Sequence, residues 1–130
     1  MYQKIVIVGR LGADPSQKYL TGGQQVTSFS VATDRTWTDS NGQKQERTVW
    51  FRVSAWGKLG EICNQYLAKG RECLVEGEIQ EPRPYEAKDG TWKASLDVRA
   101  NEVKFLGGKG ESAGQGDAVA SEDDSESMPF

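Results

Sequence analysis

One segment of the chain alternates basic and aromatic residues with apolar ones, a pattern suited to binding chemistry. Its even positions are Trp50, Arg52, Ser54, Trp56 and Lys58, and its odd positions are Val49, Phe51, Val53, Ala55 and Gly57. Successive side chains of a β-strand point to opposite faces of the sheet. Because the odd set has the size and polarity of a protein core, we expect the even set to face outwards.

Two outward tryptophans would favour unpaired nucleic acid as a ligand. Leaving each indole in water costs about 2 kcal/mol or more, unless a ligand or partner covers it. Bases stack on aromatic rings at about 1–3 kcal/mol per base, while Lys and Arg contact the phosphates. Such stacking does not read base sequence and does not distinguish DNA from RNA. The alternative is that Trp50 and Trp56 pack under a loop or a neighbouring subunit.

Aromatic residues lie beside cations in two further polar segments. They are Trp37 with Arg35, and Tyr85 and Trp92 with Arg83 and Lys93. This recurrence favours a binding surface over coincidental packing. Packing within the loop is an equally good alternative for Tyr85 and Trp92 taken singly.

The sequence offers no catalytic or metal-binding constellation. It contains no His, the commonest general base and metal ligand. Its two cysteines, Cys63 and Cys73, fall at apolar positions and are predicted to be buried thiols. The glycine pairs in 9–12 and 57–60 lack the spacing of a phosphate-binding loop and read as turns. We therefore predict no catalytic residue, no metal and no cofactor.

Charge divides the chain into two parts. Residues 1–106 carry 15 Lys/Arg and 13 Asp/Glu, a net charge of +2, and residues 107–130 carry one Lys and six Asp/Glu, a net charge of −5. A mildly basic body with an acidic end is consistent with a polyanionic partner. No stretch approaches the roughly 18 apolar residues of a membrane span.

The periodicity predicts five strands and one helix. The strands cover 4–11, 25–35, 48–57, 72–80 and 93–106, and the helix carries apolar residues at 59, 62, 63, 66 and 67. In the fifth strand the apolar residues Ala94, Leu96, Val98 and Ala100 alternate with the polar residues Lys93, Ser95, Asp97 and Arg99. Asn41-Gly42 and Asp89-Gly90 are predicted turns in two polar excursions. An all-β, five-stranded barrel with one helix between strands three and four is the element order of the OB-fold, although other small barrels could share it.

Beyond Leu106 the periodicity stops. The Gly/Ser/Ala/acid composition cannot bury enough apolar surface to offset chain entropy. We therefore predict an OB-fold domain at 1–106, a flexible linker at 107–120, and an acidic tip at 121–130, with the whole tail disordered.

Ordered motifs across residues 1–106 resemble the bacterial single-stranded DNA-binding protein family. They include Ile5-Val6-Ile7-Val8-Gly9-Arg10-Leu11-Gly12-Ala13-Asp14-Pro15, Trp50-Phe51-Arg52-Val53, Trp56-Gly57-Lys58-Leu59 and Tyr66-Leu67-Ala68-Lys69-Gly70. The resemblance implies a homotetramer wrapped by single-stranded DNA, in the bacterial cytoplasm and associated with the nucleoid. It implies base stacking at Trp37, Trp50, Trp56 and Tyr85, and phosphate contacts at Arg52, Lys58, Lys69 and Lys93. To these we add Trp92 for stacking and Arg10, Arg35 and Arg83 for phosphate.

The acidic end resembles the tip by which this family docks replication, recombination and repair enzymes. The predicted partner-binding residues are Asp123, Asp124, Glu126, Met128, Pro129 and Phe130. A short acidic peptide ending in Phe suits an apolar pocket with a basic rim. The alternative is a tail that only aids solubility.

Two other functions are compatible with an OB-fold. The first is a protein-interaction subunit whose aromatic residues are buried between chains. The second is a small nuclease, against which the lack of His and of an acidic metal cluster argues.

Overall fold

A computed structural model describes residues 1–107 and the backbone of residues 118–121. Five strands close into a barrel: β1 (Ile5–Leu11), β3 (Gln25–Thr38), β4 (Lys44–Trp56), β5 (Glu72–Ile79) and β8 (Asp97–Leu106). Around the barrel they follow the order β1-β3-β4-β8-β5, and β5 returns to β1. Every pairing is antiparallel except β4 with β8, which is parallel. Short strands β2 (Ser16–Tyr19), β6 (Arg83–Glu86) and β7 (Trp92–Ser95) lie outside this path.

The single helix, α1 (Gly57–Tyr66), lies between the third and fourth barrel strands, so the predicted all-β OB-fold class is confirmed. Its predicted apolar face packs on the barrel, with Leu59 and Cys63 fully buried. Tyr66 is half exposed, and its ring lies 5.5 Å from that of Phe105. The buried Thr27 hydroxyl on β3 donates to the Gly60 carbonyl oxygen at 2.8 Å, which fastens the helix to the barrel.

Every barrel strand contributes at least one β-branched residue to the core. Its largest fully buried side chains are Leu59, Val31, Val53, Val75, Val98, Val103, Thr27, Cys63 and Cys73. Small branched side chains suit the narrow interior of a five-stranded barrel. β4 and β8 pair side by side over this core, and the candidate site lies on their outer surface.

The hairpin of β3 and β4 extends beyond the predicted strand limits. Pairing continues to Thr38 opposite Lys44, so the polar excursion is itself a β-ribbon. At its tip the Asp39 carboxylate accepts hydrogen bonds from the backbone N–H of Asn41 and Gln43, each at 2.9 Å. Local capping of the turn by an Asx side chain explains why a polar segment is ordered.

The predicted fifth strand is wrong in its continuity and in part of its parity. It divides at Leu96, where the chain passes from the hairpin of β6 and β7 into the barrel strand β8. Ala94 and Leu96 are consequently exposed rather than buried with Val98. A bulge at Asn101 then shifts the core parity, so that Val103 is buried although its number is odd.

One further strand, β9 (Ala118–Ser121), is not predicted from the sequence. It pairs antiparallel with Glu102 to Phe105 of β8. That edge of β8 is open because β4 pairs only with Asp97 to Arg99. The other residues of the predicted tail, including the tip residues 122–130, lie outside the described residues.

Two classes of feature are absent from the described part of the chain. In residues 1–107 and 118–121 no helix has the length and apolar character needed to cross a bilayer. The same residues hold no group of three or more Cys, Asp or Glu side chains placed to bind a metal ion.

Candidate nucleic-acid interface

The outer face of β4 carries the predicted alternation of aromatic and basic residues. Val53 and Ala55 are fully buried, whereas Trp50 is 52% exposed and Arg52 is exposed. Trp56 lies on the same side but is only partly exposed. The predicted parity is therefore confirmed from Val49 to Trp56, but it is wrong for Gly57 and Lys58, which begin helix α1. The barrel leaves Trp50 uncovered.

A bed of small residues lies beside these rings. On the neighbouring strand β3, Ala32 pairs with Trp50 and Ser30 pairs with Arg52. The backbone N–H of Gly12 donates a hydrogen bond to the carbonyl oxygen of Ser30 at 3.2 Å. This bond holds the residue that follows β1 next to the small residues of β3. The indole of Trp50 reaches across to Gly12. A Cβ atom at Gly12 would lie 2.6 Å from its Cη2 and Cζ3 atoms, so the ring needs a glycine there.

The hairpin of β6 and β7 brings a further ring to this surface. Tyr85, Trp50 and Arg52 line a cleft of about 200 Å³, which we call the tyrosine cleft. Trp50 and Tyr85 are each about half exposed, so aromatic faces remain available for a base. The structure therefore unites two predicted stacking residues that are 35 positions apart.

A larger cleft lies on the other side of Arg52. We call it the arginine cleft, and its volume is about 440 Å³. It is lined by three arginines, Arg52, Arg83 and Arg99, and by Trp56 at the end of β4. The remaining lining residues are Ser54, Gln80, Glu81, Asp97 and Val98.

Arg99 is not among the binding residues predicted from the sequence, although it alternates with apolar residues on the predicted fifth strand. Its guanidinium carbon lies 5.8 Å from the ring centroid of Trp56, within cation–π range. The contact exists because the parallel pairing of β4 and β8 places Arg99 opposite Ser54. Only the tertiary pairing reveals this neighbour.

Two predicted stacking residues do not share the outer face of β4. Trp37 pairs with Gln45, an odd position of β4, so it lies on the opposite face of the ribbon from Trp50. There the Arg35 guanidinium lies 5.5 Å from its ring centroid. Trp92 pairs with Glu86, one residue out of step with Tyr85 on β6, so it lies on the other face of that hairpin and is 69% exposed.

The remaining predicted cations are dispersed around this surface. Arg10 on β1 pairs with Ala32 on β3, which in turn pairs with Trp50 on β4. Paired residues point to the same face of a sheet, so Arg10 and Trp50 lie on one face, two strands apart. Lys93 pairs with Tyr85 in the hairpin. By contrast, Lys58 forms an ion pair with Glu61 at 3.7 Å on the helix surface. The backbone N–H of Lys69 donates to the Asp14 carboxylate at 2.9 Å, beyond the end of the helix.

The buried thiols do not provide a nucleophile. Burial raises the pKa of Cys73 to about 12 and raises the pKa of Cys63 as well. Both groups therefore remain protonated near neutral pH, whereas nucleophilic attack requires the thiolate.

Proteins similar in sequence to this chain include single-stranded DNA-binding proteins. The chain is 48% identical over 111 residues to a single-stranded DNA-binding protein of Neisseria meningitidis, covering 85% of this chain and 63% of that one. It is 40% identical over 119 residues to single-stranded DNA-binding protein 1 of Chlorobaculum tepidum, covering 92% and 74%. The chain thus spans less than two thirds of the length of the Neisseria relative.

Two solved structures share the fold. One is a Plasmodium falciparum SSB in complex with ssDNA, with a TM-score of 0.70, 28% identity, and coverage of 82% of this chain and 97% of that one. The other is a deletion mutant of the single-stranded DNA binding protein from Thermus aquaticus, with a TM-score of 0.66, 29% identity, and coverage of 89% and 55%. Residues 2–106 match the Single-strand binding protein family, and the chain belongs to that family.

Proposed function

We propose that this chain binds and protects single-stranded DNA without sequence preference, as a binding protein rather than an enzyme. The observation that carries the proposal is the outer face of β4, where Trp50 is half exposed and lines the tyrosine cleft together with Arg52 and Tyr85. Flat rings among cations bind any unpaired base through its π-face, and the cations bind the phosphates. We propose that the chain acts during replication, recombination and repair, because these processes expose single-stranded DNA. We further propose that it acts in the bacterial cytoplasm, at the nucleoid.

Titration with oligo(dT) tests this proposal. Bases stacked on Trp50 should quench the intrinsic tryptophan fluorescence, and the oligonucleotide length at which quenching saturates gives the site size. Repeating the titration at two salt concentrations gives the number of phosphates bound, since log K falls with log salt by about 0.7 per phosphate for single strands.

Matched aromatic variants assign the binding to this face. Trp50→Ala should weaken oligo(dT) binding by about 5- to 150-fold, the equivalent of about 1–3 kcal/mol for one stacked base. Tyr19→Ala is the control, because Tyr19 is 71% exposed and lines neither cleft. Absence of quenching by the wild-type chain would favour the protein-interaction subunit, and turnover of labelled DNA with Mg²⁺ would favour a nuclease.

We further propose that the chain assembles with copies of itself, as a homotetramer. The support is the outer face of β1, where Val6 and Val8 are 54% and 47% exposed although both are large and apolar. Val8 pairs with Leu74 on β5, which extends the apolar surface beyond β1. Exposed apolar patches of this kind mark association surfaces. Light scattering should give the mass of four chains, and Val8→Glu should lower that mass; a monomeric wild-type chain would refute the assembly.

The acidic segment is proposed to recruit DNA-processing enzymes. This proposal rests on the sequence alone, on acids followed by Met128, Pro129 and Phe130. We expect Phe130→Ala to abolish binding of a purified repair or replication enzyme while oligo(dT) binding stays unchanged. Equal binding of that enzyme after removal of residues 121–130 would leave the segment with no more than a solubilising role.

A further inference from the structure

We propose that the arginine cleft is a phosphate-binding subsite in which Arg99 contacts the backbone of single-stranded DNA. This inference rests on the proposed function and adds a residue to it. It assigns the two clefts different ligands: bases to the tyrosine cleft and a backbone phosphate to the arginine cleft.

The cation–π contact of Arg99 with Trp56 suits Arg99 to bind an anion. A guanidinium is planar, and its N–H donors all point outwards in that plane. The Arg99 guanidinium carbon lies over the Trp56 ring, 5.8 Å from its centroid, and this contact uses none of the N–H donors, which can therefore bond phosphate oxygens. The ring also holds the long side chain in place, so less rotamer entropy is lost when the phosphate binds.

The charges within the arginine cleft leave room for an anion. Its two carboxylates are Glu81 and Asp97, and Asp97 is already engaged: it accepts the Ser95 hydroxyl at 2.6 Å and lies 3.9 Å from the Arg83 guanidinium. Among the described residues, no carboxylate lies within ion-pair distance of Arg52 or Arg99. Neither guanidinium is therefore engaged in an ion pair, and both are available to an anionic ligand.

The position of the cleft connects it to the tyrosine cleft. Arg52 lines both, and Arg83 and Tyr85 come from the same strand of the hairpin. A volume of about 440 Å³ lies within the range of about 300–1,000 Å³ that holds small ligands. A strand whose base lies between Trp50 and Tyr85 would thus carry an adjacent phosphate past Arg52 to Arg99.

The test is a salt series of oligo(dT) titrations with charge-neutral variants. Arg99→Gln should weaken binding about three- to tenfold at low salt and reduce the salt slope by about 0.7, the contribution of one phosphate of a single strand. Arg99→Lys keeps the charge but loses the planar fork, so its salt slope should stay at the wild-type value while its affinity falls less than that of Arg99→Gln.

The matched control is Lys104→Gln, which removes one positive charge from the same strand. Lys104 is exposed and lies beyond the segment of β8 that pairs with β4. We expect its salt slope to equal that of the wild-type chain. Thermal unfolding should show Arg99→Gln folded as the wild type, because Arg99 is an exposed residue.

The outcomes separate this inference from the function on which it rests. If the wild-type chain binds oligo(dT) and Arg99→Gln has the slope and affinity of Lys104→Gln, the phosphate subsite is refuted and the DNA-binding function stands. If the wild-type chain fails to bind oligo(dT), both are refuted. A lower slope in Arg99→Gln alone supports the subsite.

Discussion

Placing one methyl group under Trp50 tests whether the position of this ring, and not only its presence, governs binding. In Gly12→Ala the new Cβ atom would lie 2.6 Å from Cη2 and Cζ3 of the indole, and ordinary van der Waals contact begins near 3.4 Å. The ring edge must therefore retreat by about 0.8 Å. Trp50 is 52% exposed, so it can move into solvent without disturbing the core.

The expected loss of affinity follows from that displacement. A gap of about 0.5–1 Å forfeits roughly a quarter to a half of a dispersion contact. Applied to about 1–3 kcal/mol for a base stacked on Trp50, this gives about 0.3–1.5 kcal/mol, or a two- to tenfold weaker affinity for oligo(dT). The free energy of unfolding should change by less than about 1 kcal/mol. The unfolded chain has less backbone entropy with Ala than with Gly at position 12, and this stabilising effect offsets mild crowding in the folded state.

A double-mutant cycle supplies the decisive measurement. In the Trp50→Ala background the methyl group at position 12 meets no ring, so Gly12→Ala should have no further effect on oligo(dT) affinity. Fluorescence titration of the wild type and Gly12→Ala, and anisotropy of labelled oligo(dT) with Trp50→Ala and the double variant, measure the four affinities. Equal losses in both backgrounds would refute the idea that Gly12 acts through Trp50.

Three further predictions concern the barrel itself. Gly77→Ala should destabilise the chain by about 2 kcal/mol or more, because its Cβ would collide with the backbone carbonyl oxygen of Arg99; an unchanged thermal midpoint would contradict the tight β5–β8 contact. Cys63 and Cys73 should resist iodoacetamide at pH 8 until the protein is unfolded, since burial raises the pKa of both thiols; rapid labelling of the native chain would show that the core opens. The pKa of Asp39 should lie below its ordinary value of 3.8, chiefly because the Gln43 N–H donates to the carboxylate, so the turn is stabilised above pH 3.8 and loses this as pH falls through the lowered pKa; an NMR titration midpoint at or above 3.8 would contradict it.

Side-chain patterns within a single strand or helix could be predicted from the sequence, because they depend on the backbone of that element alone. The parity of residues 49–57 separates Val53 from Trp50 with no knowledge of the neighbouring strands, since alternation is a property of the extended backbone. The spacing of Leu59 and Cys63 likewise identified the buried face of the helix. The predicted fifth strand failed at Leu96 and at Asn101, because a change of sheet and a bulge depend on the partner strand and leave no period in the sequence.

Backbone periodicity and residue type were enough to predict the fold class, the outward alternation of β4 and the presence of rings beside cations. Which of these residues meet depends on how the strands pair in the folded barrel. Trp50 rests against Gly12 and lines one cleft with Tyr85, and Arg99 lies over the ring of Trp56, through strand pairings that join distant parts of the chain. The same pairings turn Trp37 and Trp92 to other faces, since a register of one residue decides on which side of a ribbon a side chain lies.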